Sequence, residues 1–135
     1  YQPSRGLGDV YKRQVDMYSR KTGKLFEFSF SAPFILKDKS KIDIQFAKDY
    51  GMLFGLIFQI IDDLIDEIGT FKKIGKTPGK DVEQGKSTLL KLIGEKQVTD
   101  LCNNKINTFT KKYKNKISQN PILIKMLEFG MDRLN

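Results

Sequence analysis

Three aspartates follow an apolar run in the stretch "FQIIDDLIDEIGT", residues 58–70. Asp62 and Asp66 are one helical turn apart, and Asp63 lies beside them. Carboxylates this close repel each other unless a cation lies between them. Mg²⁺ fits, because it takes one or two carboxylates and completes its shell with water and phosphate oxygens. The spacing therefore predicts a Mg²⁺ site at Asp62, Asp63 and Asp66, with a solvated helix end as the competing interpretation.

A lysine-rich segment follows the aspartates. Residues 69–88 combine several glycines and Pro78, which predicts a loop, with five lysines: Lys72, Lys73, Lys76, Lys80 and Lys86. A lysine ammonium is a compact charge suited to phosphate. Lys76, Lys80 and Lys86 are flanked by turn residues and are the better placed to fold over a ligand, whereas Lys72 and Lys73 are typical of a solubilising surface. No G-x-x-x-x-G-K-[ST] spacing is present, which disfavours a nucleotide-binding P-loop.

Composition limits the class of protein. The 135 residues suffice for one domain, and 24 Lys and Arg against 16 Asp and Glu give a formal net charge of +8, which favours an anionic partner. The absence of histidine excludes mechanisms built on that residue, and a lone Cys102 excludes internal disulfides. The longest apolar run, residues 52–61, is too short for a membrane span, and no signal peptide is visible.

The apolar periodicity predicts an all-α fold. The alternating Phe26, Phe28 and Phe30 also fit a strand, but nothing nearby offers a second strand. The predicted helices are 15–36 with a bend at Gly23 and a break near Pro33, 41–68 capped by Ser40, 88–93 ending at Gly94, 95–117, and 122–134. In the fourth of these, six apolar or aromatic residues are predicted to face inward: Val98, Leu101, Cys102, Ile106, Phe109 and Tyr113.

The helix at 41–68 is predicted to be buried and central, because its apolar residues extend most of the way round it. One stripe carries Gly51, Gly55 and Gln59, followed by Asp62 or Asp63 and then Asp66, at steps of three and four residues. The glycines allow another helix or a ligand to approach closely. The same face then becomes amide and carboxylate, which predicts a cavity with a polar floor.

The first residues look foreign to the rest. The stretch "SRGLGDVYKRQ", residues 4–14, resembles translated adapter sequence, so residues 1–14 are predicted to be a non-native leader. An ordinary basic tail is the alternative. Residues 15–135 are then the C-terminal portion of a single domain.

Three motifs in order carry a family resemblance. K-T-G at 21–23, F-Q-I-x-D-D-x-x-D, and G-K-x-x-G-K-D-x-x-x-G-K-S-T together resemble the polyprenyl diphosphate synthases, which include farnesyl and geranylgeranyl diphosphate synthases. The resemblance runs from about Val15 to the end. It implies the C-terminal helices of an isoprenoid-synthase-type all-α bundle, truncated at the N-terminus. It also implies condensation of isopentenyl diphosphate with an allylic diphosphate by Mg²⁺-dependent ionisation.

The resemblance also implies roles for individual residues. The second aspartate-rich motif of the family, which holds Mg²⁺, is matched by Asp62, Asp63 and Asp66. Lys21 matches a lysine that neutralises the leaving diphosphate, while Thr22 and Gln59 match residues that face the developing carbocation. Lys76 and Lys86 match lysines that close over the diphosphate; the loop is expected to order when Mg²⁺ and diphosphate bind. Lys80 and Asp81 match a segment without an assigned role.

Other family features are missing from this sequence. The first aspartate-rich motif and the residues that hold isopentenyl diphosphate are absent, so the chain is predicted to be an inactive fragment of a cytoplasmic synthase. The full-length protein is expected to be a homodimer that has no membrane span and binds no nucleic acid. Alternative interpretations are a fragment of a class I terpene cyclase, a basic helical binding module, or a non-catalytic subunit that reshapes a partner synthase.

Overall fold

The fold is helical throughout the part of the chain that can be described. The computed structural model describes residues 3–74 and 89–132, and within these ranges there is no strand, which confirms the all-α prediction. The elements are α1 (Pro3–Tyr18), a π-helical turn (Ser19–Gly23), α2 (Lys24–Leu36), α3 (Lys41–Ile74), α4 (Leu89–Ile93), α5 (Glu95–Lys112), α6 (Lys114–Gln119) and α7 (Ile122–Asp132).

Helix α3 is the central element. Its buried side chains point to several sides of the helix: Phe46, Ala47, Tyr50, Leu53, Leu56, Ile57, Ile60, Ile61 and Leu64. Burying each of the larger ones contributes roughly 1.5–3 kcal/mol. Helices α1, α2, α5 and α7 pack around α3 and cover this surface, so the central, buried position predicted for it is found.

The start of α3 is set by its cap. The Asp43 backbone N–H donates to Ser40 Oγ at 3.1 Å, and Ser40 Oγ–H donates to Asp43 Oδ2 at 2.7 Å. This reciprocal pair satisfies a backbone donor that would otherwise lack a partner in the first turn. The predicted cap at Ser40 is confirmed.

Helix α3 ends later than predicted. It continues through Gly69 to Ile74, so the loop predicted from residue 69 is wrong for residues 69–74. A single glycine costs a helix only about 1 kcal/mol, which the rest of a long buried helix outweighs. Residues 75–88, with most of the predicted lysine loop, lie outside the described residues.

A π-helical turn, Ser19–Gly23, lies where the bend at Gly23 was predicted. The Lys24 backbone N–H donates to the carbonyl of Ser19, five residues earlier, which adds one residue to that turn. The helix does not break at Pro33, contrary to prediction, but continues to Leu36. Because Pro33 lies in the last turn, its missing N–H removes only one hydrogen bond from the helix, close to its end.

Helices α2 and α3 pack backbone against backbone. A Cβ atom added to Gly51 would lie 2.5 Å from the Phe26 carbonyl oxygen, and one added to Gly55 would lie 2.8 Å from Gly23 Cα. Only glycine permits this approach. Aromatic rings fill the space beside the contact, with the Phe26 and Phe54 centroids 5.0 Å apart.

The C-terminal helices cover the opposite side of α3. Gly94, at φ 82°, ends α4 as predicted, and of the inward residues predicted on α5, Val98, Cys102, Ile106 and Phe109 are buried while Leu101 and Tyr113 are partly buried. The single helix predicted for 95–117 is wrong, because α5 ends at Lys112 and α6 begins at Lys114. The predicted last helix is found as α7, and Leu134 lies outside the described residues.

Tyr113 lies at the break between α5 and α6. Its ring contacts Phe46, with centroids 5.0 Å apart, and its hydroxyl donates to the Asp49 carboxylate on α3. Lys112 Nζ lies 2.9 Å from the same carboxylate. Lys116 pairs with Asp43, which precedes Asp49 by six residues on α3. These contacts fasten the first half of α3 to the C-terminal helices.

The described surface also carries exposed apolar side chains. On α2 they are Leu25, Phe28, Ile35 and Leu36, and on α7 they are Ile122, Met126 and Phe129. Clusters of this kind are typical of surfaces that contact other protein. In the described ranges, no helix has both the length and the apolar content needed to cross a bilayer.

The close contact between α2 and α3 predicts a position-specific cost for adding a methyl group. Gly51→Ala is expected to lower the free energy of unfolding by about 1–3 kcal/mol, because the methyl group would overlap the Phe26 backbone. Gly69→Ala on the same helix is the matched control: nothing lies within 4 Å of its added Cβ, so stability should be unchanged or higher by up to about 1 kcal/mol. Urea unfolding followed by circular dichroism measures both; equal stability of the two variants contradicts the contact.

The Asp49 contacts predict an acid-sensitive contribution to stability. Partial burial raises the pKa of Asp49, but hydrogen bonds from Tyr113 and Lys112 outweigh it and hold the pKa below the ordinary 3.8. Because the pKa of Asp49 is lower in the folded than in the unfolded protein, the ionised carboxylate stabilises the fold at pH values above the unfolded-state pKa. This contribution is lost as the pH falls through the folded-state pKa. Asp49→Asn should cost about 1–2 kcal/mol at pH 7 and progressively less below about pH 3.8.

Urea unfolding of the wild type and Asp49→Asn across pH 2–7 tests this expectation. Asp132→Asn, which removes an exposed carboxylate at the end of α7, is the control and should follow the wild type. A stability difference between the wild type and Asp49→Asn that stays constant across this pH range would show that the carboxylate charge is not what stabilises the contact.

Candidate functional site

A line of hydrogen bonds joins the K-T-G segment to the aspartate-rich motif. Thr22 Oγ1–H donates to Gln59 Oε1 at 2.7 Å, and Gln59 Nε2–H donates to Asp63 Oδ1 at 3.1 Å. The other carboxylate oxygen of Asp63, Oδ2, accepts a hydrogen bond from the Tyr18 hydroxyl. Three residues predicted for the site from different parts of the sequence thus meet in one continuous network, together with Tyr18.

The spacing of these residues explains the pairing. Tyr18 and Thr22 are four residues apart, as are Gln59 and Asp63, so each pair presents two side chains along one side of its helix. Thr22 meets Gln59 and Tyr18 meets Asp63, as expected for segments that run in opposite directions. The contact between Gly23 and Gly55 lies next to the Thr22–Gln59 hydrogen bond. It brings the two backbones close enough for short side chains to meet.

Lys21 lies in the π-helical turn next to Thr22 and its side chain is exposed. Single π-helical turns recur at functional sites, because the extra residue displaces side chains from their usual helical positions. Lys21 and Thr22 are neighbours in this turn and point in different directions: Lys21 is exposed, while Thr22 bonds to Gln59. The role of Lys21 at the leaving diphosphate stays a prediction.

The three aspartates have different environments. Asp63 is partly buried and both of its carboxylate oxygens accept hydrogen bonds, whereas Asp62 and Asp66 are exposed. The sequence left open whether Asp62 or Asp63 continues the stripe of Gly51, Gly55 and Gln59. The structure shows Asp63 bonded to Gln59. Asp62 and Asp66 are one turn apart and open to a ligand. That they face one cavity together with Gln59 stays a prediction.

No ready-made metal cage is present in the described part of the chain: no group of three or more acidic or cysteine side chains there is placed to hold an ion. The exposed carboxylates of Asp62 and Asp66 fit instead a metal site in which a bound phosphate supplies further ligands. Mg²⁺ keeps several positions for water and substrate phosphate and needs only one or two carboxylates from the protein. The two predicted diphosphate ligands Lys76 and Lys86 lie outside the described residues.

Comparison with known proteins identifies the family. Residues 7–127 match the family model described as polyprenyl synthetase. The chain belongs to the polyprenyl synthetase family. A relative named "Short chain isoprenyl diphosphate synthase", from Methanocaldococcus jannaschii, is 36% identical over 76 residues, which is 56% of this chain and 23% of that protein. The matched part spans about a quarter of the relative's length.

No solved structure matches this polyprenyl synthetase chain. The family match begins at residue 7, within the predicted leader of residues 1–14. In the structure, residues 3–14 belong to helix α1, where Tyr11 packs against the core and Gln14 is buried. The division of the chain at residue 14 stays a prediction.

Tyr18 is the residue in this polyprenyl synthetase chain that the motifs did not reveal. Its side chain is 2% exposed, and its hydroxyl oxygen accepts a hydrogen bond from the Leu89 backbone N–H at 3.4 Å. Burial, and next the hydrogen bond with Asp63, raise the pKa of Tyr18 to about 12, so the phenol is a donor at neutral pH. The signal that could have found it is its four-residue spacing from Thr22.

The link between Thr22 and Gln59 predicts an energetic coupling. Thr22→Val keeps the side-chain shape but leaves Gln59 Oε1 without its donor, so the free energy of unfolding should fall by about 1–2 kcal/mol. Thr110→Val is the matched control, because the Thr110 hydroxyl bonds only within its own helix, to the Ile106 carbonyl at 2.8 Å. Its effect should stay below about 0.5 kcal/mol.

A double-mutant cycle separates this bond from general packing. In a Gln59→Met background, Thr22→Val should cost little further stability, which gives a coupling of about 0.5 kcal/mol or more. Urea unfolding of the four proteins provides the measurement. Additive losses would mean that the two side chains do not stabilise each other.

Proposed function

We propose that this chain forms the second Mg²⁺–diphosphate wall of a prenyltransferase that condenses isopentenyl diphosphate with an allylic diphosphate. The observation that carries the proposal is the hydrogen-bonded line Thr22–Gln59–Asp63, which joins the K-T-G segment to the aspartate motif. Family membership supports it, as does the name of the relative, "Short chain isoprenyl diphosphate synthase".

The donor set fits Mg²⁺ held together with a diphosphate. Asp62 and Asp66 are exposed oxygen donors on successive turns of α3, and Asp63 keeps further lone pairs after accepting its two hydrogen bonds. When bound, Mg²⁺ supplies Lewis-acid stabilisation of the charge that develops on the departing diphosphate oxygens. We assign Asp62, Asp63 and Asp66 as its protein ligands, with Asp62 and Asp66 nearest the ion.

Cationic side chains would balance the rest of the diphosphate charge. Lys21 is exposed in the π-helical turn beside Thr22, and we assign it to a diphosphate bound at the aspartates. Lys76 and Lys86 follow the aspartates in sequence, and we assign them to the same diphosphate. Fixed cations of this kind stabilise a leaving group most when its charge is largest, which is in the transition state.

The allylic carbon would become electron-poor next to Thr22 and Gln59. Because Thr22 Oγ1–H is used by Gln59 Oε1, the two polar side chains hold each other in a fixed orientation. Apolar surface lies alongside: Phe58 precedes Gln59, and its ring centroid is 5.4 Å from that of Phe26. Aromatic faces attract a cation and exclude the water that would quench it.

The proposal assigns one half of a reaction centre to this chain. The sequence holds neither a first aspartate-rich motif nor the expected isopentenyl diphosphate site, so we propose that these 135 residues alone bind Mg²⁺ and diphosphate without transferring a prenyl group. A homodimer and a cytoplasmic location for the whole protein belong to the same proposal, because they come from the family resemblance.

Substitution of the exposed aspartates tests the proposed metal ligands. In a protein in which the upstream half is restored, Asp62→Asn or Asp66→Asn should lower prenyl transfer by about 10²-fold or more, since each removes charge stabilisation in the transition state. Asp100→Asn, an exposed aspartate on α5, is the matched control and should leave activity near the wild-type value. The assay is incorporation of labelled isopentenyl diphosphate into an acid-labile product with Mg²⁺.

Two results would contradict the proposal. Full activity of both aspartate variants would exclude them as the metal ligands, and an inactive restored protein would show that family membership here does not carry the reaction. Robust product formation by the 135-residue chain alone would contradict its assignment as half of a centre.

A further inference from the structure

The Asp63 carboxylate is held by protein groups on both oxygens. Gln59 Nε2 donates to Oδ1, and the Tyr18 hydroxyl donates to Oδ2. The two donors come from different helices, since Gln59 precedes Asp63 by one turn on α3 and Tyr18 ends α1. A carboxylate fixed from two directions cannot rotate freely, so its remaining lone pairs point in a defined direction.

Tyr18 contacts a second part of the chain through the same oxygen. The Leu89 backbone N–H donates to it at 3.4 Å, and Leu89 is fully buried at the start of α4. Leu89 is three residues after Lys86 in the sequence. The phenolic oxygen therefore lies between the aspartate motif on α3 and the helix that begins just after the lysine-rich segment.

We propose that Tyr18 is a positioning residue that orients Asp63 for binding of Mg²⁺ with diphosphate; this inference rests on the proposed function. Tyr18 does not touch the ligand itself, because it is buried beneath the carboxylate and acts through it. Hydrogen-bond donors behind a metal-binding carboxylate fix its orientation, and losing one typically weakens metal binding by roughly 10–100-fold.

Tyr50 allows this role to be separated from ordinary packing. It is as deeply buried as Tyr18, at 1% against 2% exposed, and its hydroxyl also makes one long-range hydrogen bond, to the Leu123 carbonyl at 2.9 Å. That bond joins α3 to α7 and has no aspartate in it. Tyr50→Phe loses the bond to the Leu123 carbonyl, whereas Tyr18→Phe loses the bonds to Asp63 and from the Leu89 N–H. Only the bond to Asp63 involves the aspartate motif.

The experiment measures binding of inorganic diphosphate in the presence of MgCl₂ by titration calorimetry. The proteins are the 135-residue wild type, Tyr18→Phe, Tyr50→Phe, Asp63→Asn and the double variant Tyr18→Phe/Asp63→Asn. Tyr18→Phe should weaken Mg²⁺-dependent binding by roughly 10–100-fold. Tyr50→Phe should stay within about twofold of the wild type although it loses a buried hydrogen bond and some stability. Tyr18→Phe is expected to lose more stability, because its hydroxyl bonds to both Asp63 and the Leu89 N–H. The double variant should bind as Asp63→Asn does.

The outcomes distinguish this inference from the proposed function. If the wild type binds and Tyr18→Phe binds equally well, the inference is overturned and the proposed function stands. If Tyr18→Phe weakens diphosphate binding further in the Asp63→Asn background, Tyr18 does not act through Asp63 and the inference is overturned. Near-wild-type binding by Asp63→Asn overturns the inference even if Tyr18→Phe does not fold. A wild type without Mg²⁺-dependent diphosphate binding overturns the proposed function, and the inference with it.

Discussion

The backbone contact between the first helical segments and α3 is the constraint on which the rest of the structure depends. Gly51 and Gly55 have no side chains, so Phe26 and Gly23 approach them at distances that any Cβ would block. At this separation a threonine hydroxyl reaches a glutamine amide across the interface at 2.7 Å. Larger residues at the glycines would move the segments apart and break that link, so the site exists only because the interface is closely packed.

The same helix has to be both a core element and the carrier of charges. On α3, the Leu64 side chain is buried, whereas the nearby Asp62 and Asp66 side chains face solvent. Asp63 lies between these environments, and the hydrogen bonds from Tyr18 and Gln59 compensate for its partial loss of hydration. A central helix can therefore carry carboxylates without burying an uncompensated charge, and the two exposed aspartates remain open to a cation.

Much of this follows from local sequence. Periodicity identified the helices and the burial of α3, because a helix buried on all sides needs apolar residues on all sides. Ser40 and Gly94 marked ends correctly, since capping and a positive φ are properties of single residues. The motifs also identified Thr22, Gln59 and Asp63, which the structure brings into one network. The prediction that a loop begins at Gly69 was wrong, because one glycine does not end a helix whose core contacts stabilise it.

Other features were decided only by the tertiary structure. The sequence determined that Gln59 and one of two aspartates share a face, but the partner across the interface selected Asp63 and brought Tyr18 to it. The π-helical turn at Ser19–Gly23 and the helix break at Tyr113 likewise accompany contacts with distant residues. The physical reason is the range of the interactions: caps and periodicity act over one or two turns, whereas these contacts join residues 37–71 positions apart that meet only when the helices pack.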